Sequence, residues 1–336
     1  MTQQDIARAA GVHRSSVCLA LQNHPNIPEK TRARIRRIAE RLGYSPDPML
    51  SALAVYRNRR RPRAFQGTLA WLANSTRTYD WRRIPIFREN YEGAVERARS
   101  HGYGIEIFDL QNSRMSPARL AGILHSRNIT GLLVAPQPAP NSELDFPWED
   151  FSAVTFGFTL VRPGLHCVAS TQYRASLQTV QRMRALGYRR IGFASSGVQD
   201  ERVNHNGLAA YLAEQLLNNE EPHVLPMGPE VASSDVLIEW IRKTRIDAAV
   251  VSLDVRDALV EAGMRFPRDL AIACPMMFDR SGVLAGVYEN SALVGAAAVD
   301  FLVAMIQRGE RGVPAFPQRI LIEGEWVDGA TCPPKR

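Results

Sequence analysis

The chain has 336 residues, of which 45% are hydrophobic and 22% charged, a composition that suits two or three compact globular units and excludes a disordered or membrane-spanning protein. No uninterrupted apolar run approaches the roughly 20 residues that span a bilayer, and Met1-Thr2-Gln3-Gln4-Asp5 lacks the basic and apolar regions of a signal peptide, so a cytoplasmic protein with no membrane partner is expected. The formal charge of +7 is unevenly placed: residues 1–63 hold 13 Lys+Arg against four Asp+Glu, a net of +9, while the remainder nets −2. A basic module on a near-neutral body is the electrostatic footprint of phosphate-backbone binding.

At the N-terminus, Thr2-Gln3-Gln4-Asp5 has the form of a capping box, with Asp in the place of the usual Glu. Ile6, Ala9 and Ala10 give a small apolar face, and Gly11 stops the helix. After a short turn, Val17, Ala20 and Leu21 recur at helical spacing. A third helix is predicted to start near Pro28 and to run through Ile35, Ile38, Ala39 and Leu42 to Gly43. Two short helices joined by a glycine turn and closed by a third form the helix-turn-helix plan, in which the start of the second helix meets base edges. His13, Arg14, Ser15 and Ser16 stand there; arginine can contact guanine through two hydrogen bonds, and short hydroxyls can sit close to bases or phosphates.

Residues 46–54 follow as a short helix candidate, with Asp47 as cap and Pro48 at the first helical position. Five arginines between 57 and 63 read as a solvated basic linker when taken alone. From about residue 67, short apolar runs alternate with helical stretches. Strands are predicted at 68–72, 105–108, 131–134, 153–156, 190–194, 248–251 and 270–273, with helices at 87–100, 120–126, through 185 and over 204–217. Such alternation implies parallel sheets covered on both faces. The cycle restarts after Ser170, and Arg99-x-His101-Gly102-Tyr103 is echoed by Arg184-x-Leu186-Gly187-Tyr188, which points to two similar lobes. Ligands of open α/β sheets bind beyond the carboxyl ends of the strands. That rule selects the loops carrying Ser75, Gln137, Phe158 and Asp254. Tyr79 and Trp81 either stack on a ligand or close their loop against the body.

An enzyme is not expected. Seven histidines are scattered, and GxSxG, HExxH, GxxxxGK[ST] and a GxGxxG after a strand are all missing. Cys18, Cys167, Cys274 and Cys332 lie far apart and read as reduced thiols, so neither metal nor cofactor is expected.

The run Asp5-Ile6-Ala7, Ala10-Gly11-Val12, Ser16-Val17, Leu21, Asn26-Ile27-Pro28, Thr31-Arg32, Ile35, Ala39 and Leu42-Gly43-Tyr44-Ser45-Pro46 resembles the headpiece of the LacI/GalR family without gaps from Thr2 to about Leu53. The resemblance implies an all-α helix-turn-helix headpiece plus an α/β two-lobed periplasmic-binding-protein-like core. In domain terms it gives a DNA-binding unit over 1–46, a hinge helix and basic linker over 47–66, and an effector-binding and dimerisation body over 67–336. Lobe 1 would hold about 67–169 and 289–316, and lobe 2 about 170–288 and 317–330. It further implies that Arg14, Ser15 and Ser16 face an operator, that Thr2, Gln3, Asn26 and Thr31 contact its backbone, and that Leu53 is the paired hinge leucine of a homodimer, inserted into the minor groove. The implied function is a transcriptional regulator, a repressor by family habit, acting on double-stranded operator DNA under a small-molecule effector of sugar type. The body alone would also suit a solute-binding receptor.

The sequence departs from the family in several places. Cys18-Leu19 stands where Ser-Arg is usual, Thr171-Gln172 replaces Asp-Asn, and Cys274-Pro275-Met276-Met277 replaces Gly-Tyr-Asp-Asp. Ala285-Gly286-Val287-Tyr288-Glu289-Asn290 takes the place of the crossover that commonly reads Thr-Thr-x-x-Gln, and Tyr288 joins the expected effector set. Arg202 matches the arginine that often holds sugar hydroxyls in the family. Several polar groups of a sugar site are thus replaced by apolar ones.

Overall fold

In the computed structural model, which describes residues 2–21, 27–44, 65–111, 116–218, 224–227 and 234–335, the chain opens with helices Gln3–Ala10 (α1), Arg14–Leu21 (α2) and Glu29–Arg41 (α3). The capping box forms: the Asp5 N–H donates to Thr2 Oγ1 at 3.4 Å, and the Thr2 N–H donates to Asp5 Oδ2 at 2.8 Å. Gly11 ends α1 at a φ of 64°, where a side chain would be strained, and its N–H reaches the carbonyls of Ala7 and Arg8. Ile6, Ala7, Ala10, Val17, Ala20, Ile35 and Ala39 make the small core. The expected face of α1 is corrected at one position. Ala9 is exposed and Ala7 is buried, because residue 9 projects about 100° away from the direction shared by 6, 7 and 10.

The body is two α/β sandwiches. Its first part runs Gly67–Ala73 (β1), Pro85–Ser100 (α4), Tyr103–Asp109 (β2), Pro117–Ser126 (α5) and Gly131–Val134 (β3). Ser142–Glu143 (β4), Ser152–Phe156 (β5), Leu160–Arg162 (β6) and His166–Ser170 (β7) follow, with β4 and β6 paired as a small ribbon. The second part runs Gln172–Ala185 (α6), Ile191–Ala194 (β8), Gly197–Arg202 (α7), Asn206–Leu217 (α8), Ser234–Thr244 (α9), Ala248–Val251 (β9), Leu253–Glu261 (α10), Ala271–Met277 (β10) and Ala285–Tyr288 (β11). The chain then closes with Ser291–Arg308 (α11), Arg319–Ile322 (β12) and Glu325–Val327 (β13).

Among the described residues, one sheet has the order β12-β7-β5-β3-β1-β2 and is parallel throughout. The other has the order β13-β11-β10-β9-β8, with only β13 antiparallel. The expected lobe boundary near 317 is therefore corrected. Residues 319–322 pair with β7 in the first sheet, where Ile320 and Ile322 pack on the first core, and the chain returns to the second lobe at 323–324.

The chain thus passes between lobes near residues 171, 289–290 and 323–324, and these passages are bonded to one another. The Thr171 N–H donates to Ile322 O at 2.9 Å, its hydroxyl to Glu323 Oε2 at 3.3 Å, and Asn290 Nδ2 to Glu323 O at 2.8 Å. Helix α11 is the one described helix long and apolar enough to cross a membrane by length and composition; here Val294, Ala298, Val299, Leu302 and Val303 bury it in the first lobe. It meets α4 backbone to backbone. A Cβ on Gly93 would lie 2.0 Å from Ala292 O, and one on Gly295 would lie 1.9 Å from Asn90 O.

Candidate nucleic-acid interface and ligand cleft

The sharp turn at Gly11 delivers the start of α2 to the surface. Arg14 and Ser15 are exposed there, Ser16 is half-buried, and exposed His13 meets Ser15 through Nδ1, 2.8 Å from the hydroxyl and 3.3 Å from the backbone N–H. Because the Ser15 N–H donates to Nδ1, that nitrogen carries no proton and the hydroxyl donates to it as well. Val17 and Ala20, on the opposite side of α2, are buried, so the polar face is presented by a fixed helix. Exposed Thr2 and half-buried Gln3 lie at the start of α1, and half-buried Thr31 in the first turn of α3. Arg34 ties α3 to α1 by donating to Ala10 O at 3.1 Å. Asn26 and Leu53, with the hinge and its arginines, lie outside the described residues.

Between the lobes lies a cavity of about 510 Å³, in the range of small-molecule sites. It opens where strand ends converge: Pro136 after β3, Phe156 to Thr159 at the end of β5, Ser196 after β8, Leu253 and Asp254 after β9, and Met276 in β10. Phe158, Arg202 and Asp254 of the expected effector set line it. Phe158 is backed by Arg319, whose guanidinium carbon lies 5.5 Å from the ring.

Ser75, Tyr79, Trp81, Gln137 and Tyr288 do not line this cavity, and each has a local reason. Trp81 is a core residue, 5.2 Å from the Trp71 ring and 5.1 Å from that of Tyr91. The Tyr79 hydroxyl donates to Pro136 O at 2.6 Å, and burial pushes its pKa up to about 12. Gln137 is fully buried and spends its side chain on Ala135 O and Asn74. Ser75 is buried in the loop that its N–H anchors to Asp109 at 3.2 Å. Tyr288 turns away, donating to Glu89 Oε2 at 3.2 Å under the guanidinium of Arg280.

Arg202 spans the two lobes. From α7 its Nη1 donates to Gln137 O at 3.1 Å and Pro138 O at 2.9 Å, and its guanidinium carbon lies 5.6 Å from the Phe87 ring. Burial lowers its pKa, but carbonyls and an aromatic face replace water around a group that stays charged. Replacing it with alanine removes two charge-assisted bonds across the cleft. Arg202→Ala is expected to enlarge the ligand-free radius of gyration in small-angle scattering; an unchanged radius would mean that other contacts hold the lobes together.

The sequence reading missed the groups at the inner end of the cleft. Glu289 is buried and lines it, accepting at Oε1 from the Ser170 hydroxyl and from Gln172 Nε2 at 2.6 Å. Asn90 and Ser291 also line it and are buried. The signal was one residue away: Tyr288 was selected, and strand alternation sends its successor to the other side.

Comparisons with known proteins agree with both halves of this arrangement. Residues 2–47 match the family described as bacterial regulatory proteins, lacI family, and residues 180–332 match the periplasmic binding protein-like domain. The chain thus joins a lacI-family helix-turn-helix domain to a periplasmic-binding-protein-like domain. Among curated relatives, the HTH-type transcriptional repressor CytR of Escherichia coli (strain K12) is 25% identical over 216 residues, which are 63% of this chain and 58% of that protein. The match thus spans less than two thirds of the relative's length. Among solved structures, the transcriptional regulator CelR–cellobiose complex aligns with a TM-score of 0.57 at 19% identity, covering 98% of this chain and 99% of CelR. The Lac repressor dimer bound to operator and the anti-inducer ONPF aligns with a TM-score of 0.52 at 16% identity, covering 99% of each chain. At these identities the structural likeness speaks for the fold.

Proposed function

We propose that this protein is a cytoplasmic, sequence-specific DNA-binding transcriptional regulator of repressor type, working as a homodimer whose affinity for operator DNA is set by a small molecule in the interlobe cleft. The observation that carries the reading is the exposed polar start of α2, with Arg14, Ser15 and His13, mounted on a three-helix unit that has its own core. The net charge of +9 in residues 1–63 supplies the sequence-independent attraction to phosphate, and Arg14, Ser15 and Ser16 the base contacts. Thr2, Gln3, Asn26 and Thr31 hold the backbone, and Leu53 is the minor-groove wedge. Two headpieces on one operator require a two-fold partner. No catalysis is assigned.

CytR is named a transcriptional repressor, and the Lac repressor is described as a dimer on its operator; both support the reading. Cellobiose in the CelR complex supports a sugar, while the walls here include Phe87, Phe156, Phe158, Val198, Leu253 and Met276, none with a side-chain oxygen or nitrogen to offer hydroxyls. The reading is tested by titrating labelled genomic fragments with the full-length protein at several salt concentrations. Binding is expected to select particular fragments and to weaken steeply with salt; equal binding to all fragments, or none, would sink it.

A further inference from the structure

The walls of the cleft are mostly apolar, yet its inner end gathers polar groups with unused capacity. Glu289 takes both of its hydrogen bonds at Oε1, from Ser170 and Gln172, and among the described residues Oε2 has no partner and no Lys, Arg or His forms an ion pair with the carboxyl. Burial and the nearby Glu89 carboxyl both raise its pKa. The hydroxyl of Ser291, the first residue of α11, is buried without a partner. The Asn90 side chain, 5% exposed, makes no hydrogen bond among the described residues. All three groups line the cavity: Ser291 follows Glu289 by two residues, and Gly295, one turn beyond Ser291, packs on the Asn90 backbone carbonyl. The cationic side chain that lines the cleft, Arg202, is held by Gln137 and Pro138 carbonyls, so its charge is committed to closing the lobes.

A buried carboxyl without a cation is costly, and so are buried donors and acceptors without partners. Such a cluster facing a cavity defines what must fill it. Three acceptors at one apolar-walled end match the three N–H donors of an ammonium group, and the positive charge answers the carboxylate. Elsewhere the walls are largely Phe, Val, Leu and Met side chains, with Thr159, Ser196, Gln199 and Asp254 as further polar groups.

We propose that the cleft binds a small, mostly apolar molecule carrying a protonated amine or amidine, whose N–H groups sit among Glu289 Oε2, the Asn90 carboxamide and the Ser291 hydroxyl. This assignment rests on reading the cleft as the effector site. The test is calorimetric titration of the full-length protein with three pairs of probes that share a skeleton: tryptamine and tryptophol, phenethylamine and 2-phenylethanol, hexylamine and hexanol. At least one amine should bind, and at least tenfold more tightly than its alcohol. Glu289→Gln, with folding checked by its melting temperature, should lower that amine's affinity tenfold or more, and Ser291→Ala should lower it less. The proposal is overturned if no amine binds, if alcohols bind as well as amines, if Glu289→Gln binds the amine unchanged, or if cellobiose binds and the amines do not. DNA titration of the same preparation separates the two claims. Amine binding without DNA selection would remove the regulator reading and leave the site, and the reverse result would remove the site alone.

Discussion

Gly295→Ala should lower the melting temperature of the body by about 5 °C or more, whereas Gly122→Ala should raise it slightly. Both glycines are inside helices, where alanine is favoured over glycine by about 1 kcal/mol. What differs is the space. A Cβ on Gly122 would meet nothing within 4 Å, so the intrinsic gain is realised, partly by restricting the unfolded chain. A Cβ on Gly295 would stand 1.9 Å from Asn90 O and 2.8 Å from Ala94 N, both backbone atoms of α4 that no rotamer change can move. The helices must separate, and overpacking of this kind costs about 1–3 kcal/mol and sometimes more. Because the core of the first lobe is built on α4 and α11, that shift strains the whole lobe. Thermal unfolding of the two variants beside the wild type decides the matter; equal melting temperatures would show that the helix contact is looser than the geometry gives.

Arg14→Ala should weaken binding to a selected operator by roughly tenfold to a hundredfold, the scale of a lost bidentate contact worth about 1–3 kcal/mol. It should leave the salt dependence nearly as steep as in the wild type, because base contacts release few counterions. Folding should be unaffected, as Arg14 is exposed and the headpiece core lies on the other face of α2. The informative contrast is with exposed Arg36 and Arg37 of α3. If Arg14→Ala flattened the salt slope without relaxing sequence preference, it would be a phosphate contact, and base reading would belong to other residues.

Helix ends and the order of strands and helices were legible in the sequence because their causes are local. A capping Thr2, a left-handed Gly11 and the spacing of Val17 and Ala20 announce themselves within a few residues. The strand at 166–170 was not legible: all five of its side chains are buried, so no alternation marks it. Nor was the lobe that receives 319–322, since partner choice in a sheet is decided by residues about 150 positions earlier in the chain. The cleft was half legible. The rule of strand ends found Phe158 and Asp254, and the family resemblance Arg202, but Asn90 enters from the middle of a helix and Glu289 from the passage after β11, which that rule does not reach.

The passages between the lobes have a consequence for how small an effector can be. Glu289 stands in one passage and holds Ser170 and Gln172 on either side of another, so a single carboxyl is both wall of the cavity and pin of the joint. Anything that draws on Glu289 redistributes bonds at the pivot without needing to touch both lobes. Under the effector reading proposed above, potency and occupancy of volume are then separate properties: a fragment reaching only Glu289 acts on the joint directly, and shifts the angle between the lobes by as much as its own affinity differs between the two arrangements.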